Sequence, residues 1–448
     1  MNREYDEKTL LNQYPSHILE NLDLLLAGKM LNKQLDSPVY KKKASDIAVK
    51  QSHFQNKWYT SDALLYFGCY RRDYELFLFP IANRLSEIGL SVYLVIYDTA
   101  SPNLSMLSKK VKLLSYKHLI KKYNVHKNAN LYYTNHLLKG IETFSSKMAL
   151  TSSQKNKLYA FYKRYAIDFL LTDYLIQETR PKCIYGIHFL LTPGCIRAIE
   201  HSKYPIICTL IQHGLIASEK YERHHFKGAD LVFVWGEFFN NLLKAKENAP
   251  ASIVLGNPKL EQAKNDFTLH NKSIKKDGFN ILYVLTGSLQ DEFNSKNLIL
   301  FSNSIKKMNK IRVIYKLHPN SSKRECEFFI RKGIMKENEI INDVPIQLLI
   351  NQSDLVIGDY STSIYEAAAW NKPVIQIHQS NYPEIYIKFS TVSTHEQLTN
   401  LINRLYKDQK YYADFIKKQQ QSVSELFLQI DGSINRIASH IQSLIGKN

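Results

Sequence analysis

Two short runs in the second half of the chain carry residue types suited to handling phosphate. Lys316-Leu317-His318-Pro319 closes an apolar, strand-like run. About 40 residues on, Asp359-Tyr360-Ser361-Thr362-Ser363 separates the strand-like Leu355-Val356-Ile357 from a helix-like run that holds Glu366. Hydroxyl side chains at the start of a helix stand beside backbone N–H groups that lack intrahelical acceptors, and the helix dipole adds positive potential there. That combination suits a diphosphate, with Glu366 placed for ribose hydroxyls and His318, from the neighbouring strand, for charge on a departing phosphate. The same residues also read as a helix cap, Ser363 with Glu366 three positions later fitting a capping box.

A third run, Gln212-His213-Gly214, follows the apolar stretch Ile206 to Ile211. Imidazole titrates near neutrality, which suits removal of a hydroxyl proton, and Gly214 allows close backbone approach. His224 and His225 compete for that role. Gly68, Arg71 and Arg72 occupy the first turn after the first strand-like run, where the arginines would meet a phosphate or stand in an exposed loop. No Asp-x-Asp is present and no His, Cys or Asp spacing matches a metal site, so no catalytic metal and no bound cofactor are expected.

Parallel-sheet elements are what would position these residues. Short apolar runs at 63–67, 92–96, 183–186, 205–211, 231–235 and 252–255 alternate with helical patterns such as 77–88, 166–178 and 194–201. A second series follows, with strands at 281–285, 312–317, 355–357 and 374–377. The expectation is α/β: two Rossmann-like domains facing each other across a cleft, with ligand loops at the carboxyl ends of the strands. The boundaries read as a helical extension over 1–58, a first domain over 59–262 and a polar linker over 263–278. A second domain over 279–405 and C-terminal helices over 406–448 complete the division.

At 448 residues with 44% hydrophobic and 12% aromatic content, the chain has material for two cores and lies outside disordered composition. Its net charge of +18 is uneven. Between Leu104 and Tyr165 stand 13 Lys or Arg against one acid, Glu142, interleaved with tyrosines. Such a segment suits an anionic membrane surface or a polyanionic acceptor, or is simply a solvated helix face. No nucleic-acid module accompanies it, and nucleic acid is not an expected partner. Five scattered cysteines, an acidic N-terminus and no long apolar run favour a cytoplasmic protein, peripheral at most on the inner membrane face.

In their order, Gln212-His213-Gly214, Gly256-Asn257-Pro258, Lys316-Leu317-His318-Pro319 and Asp359-Tyr360-Ser361-Thr362-Ser363 resemble the CDP-glycerol glycerophosphotransferases and related capsule polysaccharide transferases of the GT-B superfamily. The resemblance covers roughly residues 205–378. It implies an acceptor domain followed by a nucleotide-donor domain and metal-independent transfer. His213 would be the acceptor-side base, with Gly214 beside it. His318 would contact donor phosphate, with Lys316, Pro319, Asp359, Ser361, Thr362, Ser363 and Glu366 completing the donor site. The chain departs from the family at Val284-Leu285-Thr286-Gly287-Ser288, where an Ala-Pro-Thr-Trp-Arg-like stretch is usual; Gly287 and Ser288 are still expected at the donor. His-Gly-Leu also replaces the commoner His-Gly-Thr. The donor therefore stays open among CDP-, CMP- and UDP-linked units, and the acceptor is a glycan or lipid-linked polymer. A non-hydrolysing nucleotide-sugar 2-epimerase and an inactive scaffold of polysaccharide assembly are the competing readings.

Overall fold

The computed structural model describes residues 61–67, 72–96, 103–147, 150–187, 192–216, 226, 228–245, 249–270, 278–286, 289, 292–318, 321, 323–342, 344–359, 361–378 and 387–446. The expected helical extension over 1–58 lies outside them.

The chain divides into two compact units. One comprises 1–234, 239–259 and 432–448, and the other 235–238 and 260–431. The first unit holds β1 (Ala63–Phe67), β2 (Val92–Ile96), β3 (Lys112–Ser115), β4 (Cys183–Ile187), β5 (Ile207–Ile211), β6 (Leu231–Val234) and β7 (Ala251–Val254). They form one sheet in the order β3-β2-β1-β4-β5-β6-β7, and every pairing is parallel. Parallel strands need covering on both faces, which is why β2 and β4 are buried along their whole length.

The helices of this unit are α1 (Arg72–Glu87), α2 (Tyr116–Lys122), α3 (Val125–Tyr132), α4 (Leu138–Lys147), α5 (Ser152–Thr179), α6 (Pro193–Glu200) and α7 (Glu237–Lys244, all but its first two residues in this unit). Helix α1 begins five residues earlier than the sequence pattern indicates. It stops where expected: Gly89 adopts φ +91°, and its N–H and that of Leu90 bond back to Ser86 and Leu85. The basic segment, whose residue pattern assigns no elements, supplies β3 and then a helical insertion ahead of β4. Ala129, Tyr133, Leu137, Ile141 and Phe144 from α3 to α4 pack there on Leu158, Tyr162 and Tyr165 of α5.

The second unit is a six-stranded parallel sheet of β8 (Phe279–Val284), β9 (Ile311–Lys316), β10 (Ile340–Ile341), β11 (Leu355–Gly358), β12 (Val374–Ile377) and β13 (Ser390–Val392). Its order is β10-β9-β8-β11-β12-β13. Around it lie α8 (Pro258–His270, from Leu260 onward in this unit), α9 (Glu292–Ile305), α10 (Glu327–Arg331), α11 (Ile346–Gln352), α12 (Thr362–Ala369), α13 (His395–Lys407) and α14 (Gln409–Leu426). Residues 263–270, expected as linker, form the body of α8 instead. Pro258 opens that helix with φ already fixed, and Leu260 and Ala263 are buried on its inner side.

The terminal helices do not stay together. Helix α14 belongs to the second unit, whereas α15 (Ser433–Ile445) belongs to the first and packs on α1. Gly432, at φ +85°, sits between them as the residue before α15.

Candidate functional site

In an open parallel sheet, loops diverge where the strand order reverses, and ligands gather at the carboxyl ends there. In the second unit that point lies between β8 and β11. Thr286, two residues past β8, donates its hydroxyl to the carboxylate of Asp359, the first residue after β11. Asp359 is held from the other side as well, because its carbonyl accepts from Gln376 Nε2 of β12 at 2.9 Å. Gln376 Oε1 in turn accepts from the N–H groups of Lys388 and Phe389, each at 2.9 Å. All three carboxyl-end segments are thus tied together by buried polar groups, which cost free energy unless they are satisfied.

Ser361 is the N-cap of α12, at φ −61° and ψ 136°, and its hydroxyl accepts from Ser363 N–H at 3.4 Å. Thr362 and Ser363 are the first two helical residues. The capping box expected between Ser363 and Glu366 does not form, because the cap lies two residues earlier. Glu366 is fully buried one turn into the helix, and Gln347 Nε2 of α11 donates to it at 3.3 Å. Gly358 lets the helix approach so closely: a Cβ there would stand 2.9 Å from Ile364 Cγ2 and 3.2 Å from the Val284 carbonyl oxygen.

His318 and Lys316 come from β9. The sequence pattern set their strand beside the hydroxyl-rich turn, but β8 lies between β9 and β11. With strands about 4.8 Å apart, the ends of β9 and β11 are separated by roughly 10 Å, and the end of β8 lies between them. Lys316 Nζ donates to the Asn342 carbonyl beyond β10. The carbonyl of His318 accepts from Ser321 N–H at 2.8 Å, closing a tight turn. Gly287, Ser288 and Pro319 lie outside the described residues.

In the first unit, Gln212 follows β5 and is buried. Its backbone N–H bonds Phe233, and its side-chain amide donates to the Gly214 carbonyl at 2.8 Å, so the chain around His213 is clamped on both sides. The imidazole lies edge-on to Tyr74, with centroids 5.0 Å apart, and 5.6 Å from Phe77, both on α1. On the same Phe77 ring, at 5.7 Å, lies the ammonium of Lys259, itself buried. Asn257 Oδ1 accepts from Lys259 N–H at 3.0 Å, which orders the start of α8. Phe77 thus touches both a candidate base and a buried cation. Arg71, His224 and His225 lie outside the described residues. Arg72 is the first residue of α1, and its side chain is not described.

Tyr74, Phe77, Lys259, Thr286, Gln347 and Gln376 escaped the sequence reading. Lys259 carried a signal, standing directly after Gly256-Asn257-Pro258; the others reach the site only through tertiary contacts. Among the described residues, no group of three or more His, Cys, Asp or Glu could hold a metal ion.

No protein-family model and no curated protein sequence matches the chain. Solved structures do. S. aureus MnaA in its UDP co-structure aligns with a TM-score of 0.54 at 15% identity, over 86% of this chain and 97% of that one. A Neisseria meningitidis UDP-GlcNAc 2-epimerase bound to UDP-GlcNAc aligns with a TM-score of 0.51 at 14% identity, over 86% and 100%. The UDP-GlcNAc 2-epimerase of Methanocaldococcus jannaschii gives 0.51 at 14%, over 84% and 99%. Two parallel α/β units and this likeness define the protein as one of the GT-B fold. At such identity the likeness speaks for the fold alone.

Proposed function

We propose that the second unit binds a nucleotide-activated donor and that the protein transfers its sugar or glycerol-phosphate unit to a growing surface polysaccharide or teichoic-acid-like polymer. The observation that carries this reading is the convergence of Thr286, Asp359 and the Ser361-capped start of α12 at the point where the strand order of the second sheet reverses. Backbone N–H groups of the first turn of α12 would hold the diphosphate, and His318 would donate to the phosphate oxygen that gains charge as the bond to the transferred unit breaks. His213 would accept the proton of the acceptor hydroxyl as its oxygen bonds to the transferred unit. The nucleotide leaves with its phosphate, and no protein-bound metal takes part.

The test begins with thermal shifts against CMP, CDP, UDP and GDP and their sugar or glycerol conjugates, since a ligand bound only by the folded state raises its stability. Transfer with the selected donor should then fall about 10²–10³-fold in both His318→Ala and Ser361→Ala, as for loss of one transition-state donor. Near-normal turnover in both folded variants refutes the placement. Epimerised UDP-sugar formed without any acceptor refutes the transfer reaction itself.

A further inference from the structure

We propose that the helical insertion between β3 and β4 is a docking surface for a membrane rich in anionic lipid. The proposal is independent of which donor the second unit takes, because it concerns only the first.

The insertion divides its residues between a buried side and an exposed one. Helix α3, a π-helical turn over Tyr133–Leu137 and α4 follow one another without a break. Ala129, Tyr133, Leu137 and Ile141, at steps of four, face the insertion's own core. Residues at the same step on the other side are Lys127, Leu131, Asn135 and Lys139, and all four are exposed. The core takes the apolar side chains and leaves the bases on the surface: Lys109 and Lys110 before β3, and Lys121 at the end of α2, are exposed as well. Among the segment's bases, Lys122 pairs with Glu178 at 3.6 Å and Arg164 with Asp168 at 3.0 Å. Both of those acids lie in the second half of α5, so they do not neutralise the outer stripe. Within residues 104–165 the sole acid is Glu142.

Charge alone would suit any polyanion. Leu131 separates the alternatives: it is 51% exposed, one of few large hydrophobic side chains so placed among the described residues, and it stands one turn from Lys127. The half-buried Tyr132 is its neighbour, stacked on Phe169 at 5.2 Å. Lysines that flank an exposed leucine and an amphipathic tyrosine fit a headgroup region, where cations meet lipid phosphates and apolar groups enter the acyl boundary. A soluble polyanion has no use for the leucine. No helix among the described residues is long and apolar enough to cross a membrane, so attachment through this surface would be peripheral.

The test is co-sedimentation of the full chain with vesicles of phosphatidylcholine alone or with about one-third phosphatidylglycerol. Binding is expected only to the anionic vesicles, and to be lost at about 1 M salt, where screening shortens to about 3 Å. Replacing Lys121, Lys127 and Lys139, all within the insertion, by Gln should weaken it by about fivefold per engaged lysine. Leu131→Ser should weaken vesicle binding while leaving retention on a soluble polyanion such as dextran sulfate unchanged. Each variant should keep the nucleotide thermal shift of the parent, which separates failure of this surface from failure of the donor site. Equal binding to neutral vesicles, or anionic binding that survives the lysine replacements, overturns the proposal. Retention on dextran sulfate without vesicle binding overturns it in favour of a polyanionic acceptor.

Discussion

Replacing Gln376 by Met tests whether one buried amide organises the donor side of the second unit. Methionine nearly matches glutamine in volume and removes every polar atom, so packing changes little while three hydrogen bonds disappear. Those bonds are Nε2 to the Asp359 carbonyl and the N–H groups of Lys388 and Phe389 to Oε1, all at 2.9 Å. Each orphaned group costs about 1–3 kcal/mol where water cannot reach it, and Gln376 and Phe389 are buried. Allowing for partial hydration at Lys388, the loss should be on the order of 3–6 kcal/mol. Guanidinium unfolding followed by tryptophan fluorescence reads it in the right place, because Trp235 and Trp370 both belong to the second unit. Amide hydrogen exchange should show Lys388 and Phe389 deprotected, and nucleotide affinity should fall as Asp359 loosens from Thr286. Unfolding within about 1 kcal/mol of the parent, with exchange at 388 and 389 unchanged, would refute the reasoning.

Gly194→Ala should destabilise the first unit at or above the top of the usual 1–3 kcal/mol for overpacking, roughly, because its Cβ would stand 2.5 Å from the Tyr165 carbonyl and 2.9 Å from Phe169 N; an unchanged melting temperature contradicts this. Burial raises the pKa of Asp168, with Arg164 and Thr192 opposing. A raised folded-state value means stability present below the unfolded pKa of about 3.9 and lost as pH rises through the folded value. The melting temperature of Asp168→Asn relative to the parent should therefore climb from pH 4 toward neutrality, and a falling difference would show the sign to be wrong. Transfer should persist in EDTA; complete loss restored by Mg²⁺ or Mn²⁺ would reveal a protein-held metal.

The α/β character and most of the strands were legible in the order of residues, because buried parallel strands are short apolar runs whatever surrounds them. Thus 63–67, 92–96 and 355–357 were readable directly, while β10, of two residues, and β13, with two of its three exposed, carried no such signal. The hydroxyl-rich start of α12 was legible too, since a cap is a local arrangement of three or four neighbours. Tertiary structure alone decided the rest. A polar stretch became the body of α8 because Leu260 and Ala263 found a core. The last helix joined the first unit because its apolar face packs on α1, a partner more than 340 residues away in sequence. The strand β8 came between those that carry His318 and Ser361 because strand order is set by pairing, which no local pattern encodes. His213 likewise acquired Tyr74 and Phe77 only when α1 packed beside the end of β5: spacing in the chain shows what a residue is able to do, and packing fixes what stands next to it.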